Sequence, residues 1–396
     1  MDEDFLLLNP GPVPVSDAVL DSMTDPMVSH RSAAFEAVYE RAQDGLEYVF
    51  TRSSTTGERT AEAGETLIFN GTATMAMEAA VANLVAGVGR TSDAEVVALV
   101  NGKFGRRFAR IADRYASCTR VEAAWGESIP VDAVADAVTD ETDVVTTVHN
   151  ETSTGLLNPV AEVGTIVRDH GATFVVDGVT SIGGDAFDVD GWNVDVAITD
   201  AQKALAAPPG TSAMYVTPRA AERFDGEASP FYEDLDWHRR KADQHQTPFT
   251  SAVPLFRALA TAVEEIREEG MPDRIARHRR QSAAVRDGVT AMGLDLFPRP
   301  EGGTAYSNTV TAVSLPGSLR GDAATDFFDA VAERNVSVAG GQAHLGGEIF
   351  RVSTMGNLTA AQVLRGVRTV GEAMTDAGVD VNVAAGTDAA RDRLEA

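Results

Sequence analysis

VDVAITDAQKALAAPPG, residues 194–210, is an apolar run that breaks into a lysine among small residues and closes on two prolines and a glycine. Its Val, Ile and Thr content predicts a short buried strand ending near Asp200. The lysine that follows, Lys203, is one of three, with Lys103 and Lys241, among 33 basic residues, so the chain otherwise takes its cations from arginine. A lysine kept beside Ala201, Ala204, Leu205 and Ala206 suits a task that needs a deprotonatable amine, which arginine does not offer. Imine formation with a carbonyl is such a task. A lone surface lysine is the bland alternative.

Outward from this stretch the sequence keeps a rhythm. ETLIFN is followed by GTAT and the helical MAMEAAVANLV, and EVVALVNG by FGRRFARIADRYA. DVVTTVHN is followed by VAEVGTIVRDHG, and ATFVVDGV, VDVAITD and TSAMYVT read as three more strands. Strands alternating with helices predict a mostly parallel α/β sheet covered on both faces. Ligands of such sheets sit beyond the carboxyl ends of the strands, and those ends carry NGTAT, NGKFG, HNETSTG, DGVTS and TDAQK.

The flanks differ. Residues 1–16 are Pro-rich and read as an extended segment. Helices are expected from Ser16 and over about Ala33 to Phe50. After about Thr250 two long helical patterns meet near Met271–Pro272, then strand-like and helical stretches mix, as in a smaller α+β unit. The expected division is 1–16, 17–255 and 256–396. The polar, Ala-rich tail beyond Gly378 reads as partly loose.

Composition narrows the partners. Asp plus Glu number 59 and the net charge is −26, which argues against nucleic acid and anionic membranes. Abundant acids with scarce lysine match adaptation to high salt, where self-repulsion is screened; an ordinary acidic protein has the same balance. Cys118 is the single cysteine, so no intrachain disulfide forms, and a small core residue is its simplest reading. MDEDFLLLNPGP lacks a basic start, and no window holds about 18 uninterrupted apolar residues. A soluble cytoplasmic protein is the expectation.

Asp177 closes the strand in VVDGVTS, so a carboxylate stands at the same end of the sheet as Lys203. Alone it reads as a turn aspartate. Together the two point to pyridoxal phosphate, which needs a lysine for its imine and an acid on its pyridine nitrogen. The phosphate needs amides at a helix start and hydroxyls. Gly71, Thr72 and Thr74 in NGTAT offer them, although a Thr N-cap looks the same. His149 reads as structural, because Lys203 already supplies a base.

With these segments in hand, the chain resembles the class V pyridoxal-phosphate aminotransferases of fold type I, most closely the alanine–glyoxylate/serine–pyruvate branch. LLLNPGPVPV, NGTATMAMEAA, NGKFGRR, HNETSTGLLNPV, VVDGVTSIGG, DAQKALAAPPGTS, TPFTSAVPL and FRVSTMGN fall in family order. The resemblance implies a seven-stranded, mostly parallel sheet in a large domain, with a smaller C-terminal α+β domain.

It also implies roles. Lys203 would bind the cofactor covalently and Asp177 would meet its pyridine nitrogen. Phe104 would stack on the ring, where relatives often have Trp, with Val179 on the other face. Thr152 would approach the phenolic oxygen. Thr72, Ala73, Thr74 and Gln202 would meet the phosphate, with Ala73 where many relatives have glycine. Thr247 and Thr250 would reach the neighbouring subunit's phosphate, implying a homodimer with shared sites. Thr247 stands where human-type enzymes have Tyr, so Thr250 is the better placed of the two. Arg351 would clamp the substrate carboxylate.

The implied reaction is ping-pong transfer from alanine, serine or aspartate to glyoxylate or pyruvate. Rival readings are a phosphonate or ureido donor, a cysteine desulfurase, and a non-catalytic protein on the same fold. The desulfurase needs a mobile cysteine near the active-site loop, and Cys118 lies elsewhere in the chain. The non-catalytic reading would be expected to lack Lys203, Asp177 or Arg351.

Overall fold

The computed structural model describes residues 5–86 and 93–396. Seven strands among them form the main sheet: Glu65–Asn70 (β1), Glu95–Val100 (β2), Ser117–Glu122 (β3), Val144–Val148 (β4), Thr173–Asp177 (β5), Val196–Asp200 (β6) and Thr211–Val216 (β7). Their order is β1-β7-β6-β5-β4-β2-β3. Neighbours from β3 to β6 are parallel, and only β7 runs antiparallel to both of its neighbours. The link from β6 to β7, residues 201–210, is too short for a crossover helix, so β7 has to turn back. Every residue of β4, β5 and β6 is buried, as a sheet covered on both faces requires.

The helices that cover it include Ala33–Arg52 (α1), Ala73–Ala86 (α2), Lys103–Ala112 (α3) and Val160–Asp169 (α4). α2 starts directly after β1 and crosses β4, β5, β6 and β7. Its Ala-rich sequence is buried almost all round, and the short side chains let it lie close to the strands.

Beyond Thr250 come Val253–Glu269 (α5) and Met271–Ala291 (α6), breaking where the Met-Pro pair predicts. A second sheet holds Val310–Ser314 (β8), Ala339–Gly340 (β9) and Ile349–Ser353 (β10), in the order β8-β10-β9 with both pairings antiparallel. Ala324–Ala332 (α7) and Ala360–Asp376 (α8) flank it, and α8 opens on a Thr359/Gln362 capping box. Phe327, Phe350, Val367 and Met374 belong to a core of their own, separate from the core of the main sheet.

Both terminal segments are tied into the second core, and the expectation for the tail changes. The opening segment is extended but not free: Leu6–Leu7 pairs parallel with Val336–Ser337, and Leu6 and Leu8 are buried in the second core. The tail, expected to be partly loose, is the helix Val383–Glu395 (α9), N-capped by the Asn382 side chain. It packs on α6 where glycines meet. A Cβ on Gly386 would lie 2.6 Å from the Gly288 carbonyl oxygen. The small residues that read as a loose tail are what allow two backbones to approach this closely. No helix among the described residues is long and apolar enough to cross a membrane.

Candidate active site

The carboxyl ends of β4, β5 and β6 deliver their following residues to one cleft. Asp177 ends β5 and is 4% exposed; its Oδ1 accepts the Val179 N–H at 2.9 Å. Burial pushes its carboxyl up to about 7, with Glu151 adding to the rise and the Val179 amide, Arg107 and Lys203 opposing it. Lys203 follows β6 and is 9% exposed. Its Nζ donates to the Pro10 carbonyl, and its side chain lies against Gly11, which has φ +117°. A Cβ there would sit 2.8 Å from the lysine Cδ and Cε, so the opening segment forms one wall of the lysine's slot. Burial pulls the amine down to about 8; Asp200 and Asp177 resist this, and Arg351 and Arg107 add to it. Burial thus moves both groups toward neutral pH, the lysine down and the acid up.

The start of α2 stands next to β6. The Thr72 carbonyl accepts the Met75 N–H at 2.9 Å. The Ala73 N–H donates 3.2 Å to Oδ2 of Asp200, and Gln202 Nε2 reaches the same oxygen at 3.5 Å. Oδ1 of Asp200 is buried with no hydrogen-bond partner, and burial raises this carboxyl too. Thr74 Oγ1 accepts Nη1 of Arg107 at 2.6 Å. That guanidinium lies 4.7 Å above the Phe104 ring. Thr72, Ala73, Thr74, Gln202 and Phe104 are therefore brought around one helix N-terminus, which favours an anion.

The loop after β4 is the hub. Thr152 Oγ1 meets Thr180 Oγ1 at 2.5 Å, and its carbonyl accepts Nη1 of Arg351 at 3.0 Å. Arg351, on β10, is 4% exposed. Its other bonds go to the Gly340 carbonyl, from Nε at 3.1 Å and Nη2 at 2.8 Å. Burial lowers its guanidinium to about 10. A buried arginine held only by carbonyls keeps its charge open to a carboxylate. Val179, 8% exposed, follows Asp177 at the same mouth.

Thr247 and Thr250 stand apart from this cleft's centre. The Thr247 hydroxyl is buried, donating to the Phe249 carbonyl at 2.8 Å and meeting Ser251 Oγ at 2.6 Å. Thr250 is exposed; its carbonyl accepts Asn70 Nδ2 at 3.2 Å, which pins the loop to the end of β1. His149 is buried between Phe187 and Trp192, with Nδ1 2.9 Å from Ser181 Oγ. Burial drives its pKa down to about 4, so it is a neutral packing group. Cys118 lies on the edge strand β3, with Val96 at the start of β2 as its neighbour. That is the far end of the sheet from Lys203, and burial pushes its thiol up to about 11.

Sequence reasoning passed over Glu151, Asp200 and Arg107. Glu151 sits in the quoted HNETSTG segment, and its signal was an acid in a stretch otherwise of small polar residues. Asp200 and Arg107 resemble ordinary strand-end and helix-surface residues, and only their neighbours distinguish them.

The residues fit pyridoxal phosphate. A buried lysine and a buried acid flank the cleft, and a helix N-terminus with hydroxyls lies at one end. The comparisons agree with this chemistry. Residues 5–345 match the family model described as aminotransferase class V. The chain is 35% identical to an uncharacterized aminotransferase of Methanocaldococcus jannaschii, over 95% of this chain and 94% of that one. It is 31% identical to the L-aspartate–glyoxylate aminotransferase of Paracoccus denitrificans, over 97% and 94%. Its fold superposes on the pyridoxamine–pyruvate aminotransferase of Mesorhizobium loti with a TM-score of 0.88 at 27% identity, over 98% and 97%.

Proposed function

The chain belongs to the class V aminotransferases, pyridoxal-phosphate enzymes of fold type I, and on that premise we propose that it moves an amino group from a small amino acid to glyoxylate or pyruvate by ping-pong chemistry. Alanine, serine and aspartate are the proposed donors. The observation that carries this reading is the meeting of Lys203, Asp177 and Arg351 at one cleft, each buried, with no acid bonded to the arginine.

Pyridoxal phosphate, when bound, supplies a carbonyl for amino groups and a ring that accepts the electrons left when an α-proton departs. The chain's residues do the rest. Lys203 would hold the cofactor, and its Nζ is the group that would carry the α-proton, a task for which a lowered amine pKa is suited. Asp177 would hold a proton on the pyridine nitrogen. Phe104 and Val179 would hold the ring between them, and Thr152 would lie by its phenolic oxygen. Thr72, Ala73, Thr74 and Gln202 would receive the phosphate. Arg351 fixes the donor's α-carboxylate so that its Cα–H faces Lys203.

We further propose a homodimer in which Thr250 reaches the partner's phosphate. Thr250 is exposed, whereas the Thr247 hydroxyl is already satisfied within its own chain. Beside Thr250, Phe231 is 75% and Tyr232 48% exposed, in an aromatic cluster with Phe249 and Trp237 that supports an interface there. We also propose a cytoplasmic setting and, from the acidic composition, one rich in salt.

The test is a visible spectrum of the purified holoenzyme followed by a half-reaction. A yellow band should bleach on adding L-alanine or L-aspartate alone, with one oxo acid formed per site. Lys203→Ala should lose both the band and multiple turnover. Protein that binds no pyridoxal phosphate, or a Lys203→Ala variant that still turns over repeatedly, overturns the reading.

A further inference from the structure

α3 carries an unusual face for so acidic a chain. Lys103, Arg106, Arg107, Arg110 and Arg114 line one pocket of about 360 Å³ together with Trp125. The volume is that of a small-ligand site. Elsewhere arginines pair with acids, as Arg41 with Glu264 and Arg219 with Asp195. The acids near it are engaged elsewhere: Asp113 pairs with Arg120, and Glu151 accepts the Phe104 and Gly105 amides. Arg106 stacks instead on Trp125, with its guanidinium carbon 4.8 Å from the ring centre, and Arg107 bonds Thr74. With a net charge of −26 there were acids to spare for this pocket, yet no acid lines it.

The pocket adjoins the cleft through one loop. The Lys103 N–H donates to Ser153 Oγ at 3.0 Å, while the carbonyl of the preceding residue, Thr152, accepts Arg351 at 3.0 Å. The Gly340 carbonyl that holds the other side of Arg351 leads within three residues to Ala343, which lines the same pocket. The hub thus ties two cationic residues through consecutive positions: Arg351 by its guanidinium to Thr152, and Lys103 by its backbone N–H to Ser153, with the Lys103 residue lining the pocket. The two lie close enough for Arg351, with burial and Arg107, to lower the Lys103 pKa, against Glu151.

We propose that the pocket from Lys103 along α3 is a second carboxylate subsite, so that the preferred substrate is a short dicarboxylic amino acid whose distal carboxylate Lys103 and Arg106 read. This rests on the reading that Arg351 takes the α-carboxylate. A compact ammonium on a flexible stem can follow a distal group of variable position, which gives Lys103 a reason to be lysine in an arginine-using chain.

The experiment uses the holoenzyme and two inhibitors of equal length, succinate and butyrate, read through the cofactor band and as competition against the donor. Succinate should bind about tenfold more tightly than butyrate, the size of one charge-assisted contact. Lys103→Met should reduce that ratio to about threefold or less, and Arg106→Gln should reduce it in the same direction. The aspartate-to-alanine ratio of kcat/KM should fall in step. Equal binding of succinate and butyrate by the parent enzyme overturns the subsite, and so does a Lys103→Met variant that keeps the ratio. A preference that vanishes wholly in 1 M salt also overturns it, since it then reflects only a long-range field. These failures occur in an enzyme that is yellow and transaminates; absence of the band or of any half-reaction is instead the failure of the function itself.

Discussion

Glu151 holds Phe104 by its backbone: Oε2 accepts the Phe104 N–H at 3.0 Å and the Gly105 N–H at 3.1 Å. Oε1 accepts the Ser153 N–H at 3.1 Å. A residue in the loop after β4 therefore caps α3 and sets the height of the ring expected to cover the cofactor. Glu151→Ala would leave these buried amides without acceptors and should lower stability by roughly 2–4 kcal/mol. Glu151→Gln keeps one acceptor oxygen and should recover part of the loss. Denaturant midpoints of the three proteins check this, and an alanine variant as stable as the parent removes the cap from the account.

The Lys203 amine sits at about 8 in the folded chain against 10.5 ordinarily. Between those values the unfolded state binds more protons, so this group's contribution to stability rises as pH climbs from about 8 to 10.5. Only the neutral amine attacks an aldehyde. Capture of pyridoxal phosphate by the cofactor-free chain should accelerate with pH and level off above a midpoint near 8. Stopped-flow absorbance across pH 6–11 reads that midpoint, and one near 10.5 would contradict the burial argument.

Asp200 brings an acid to the helix start proposed to receive the phosphate. Its Oδ2 takes the Ala73 N–H, the kind of amide a phosphate uses. Asp200→Asn preserves an acceptor for that amide and removes the charge. It should bind pyridoxal phosphate several-fold more tightly, on the order of 1 kcal/mol at a screened site. A fluorescence titration that finds weaker binding would mean that the carboxyl instead serves as a donor to the phosphate.

Where α9 crosses α6, Gly386→Ala would push a methyl to 2.6 Å from the Gly288 carbonyl oxygen and to 2.4 Å from Met292 Cγ. Met292 can swing aside, but the backbone oxygen cannot. The expected loss is about 1–3 kcal/mol, visible as a lower melting temperature with the cofactor band unaltered. An unchanged melting temperature would show that the two helices separate freely.

A net charge of −26 repels itself at low ionic strength and much less once the Debye length falls to about 3 Å at 1 M salt. The melting temperature should therefore rise steadily with potassium chloride into the molar range. A flat or falling curve would remove the proposed high-salt setting.

Much of this architecture was legible locally. The runs ETLIFN, DVVTTV and TFVVD announced buried strands, and the polar residues closing each run marked the cleft. Lys203 stood out because it broke the chain's own preference for arginine. α9 was misread for an equally local reason: small residues signal looseness unless a partner helix needs them, and that partner, Gly288, lies 98 positions away in the chain. Glu151 was missed because an acid among small polar residues reads as a turn residue, and the Gly105 amide it accepts lies 46 residues away in the chain.

The sequence by itself determined the alternation of strands and helices, the lysine and acid at strand ends, and the charge balance, since each depends on the order and type of neighbouring residues. Only the tertiary structure decided that β7 turns back, that Pro10 and Gly11 wall the Lys203 slot, and that Thr152 and Ser153 join Arg351 to Lys103. Those are meetings of residues far apart in the chain. They are set by how buried surfaces pack and how buried amides and carbonyls find partners, which no short stretch of sequence contains.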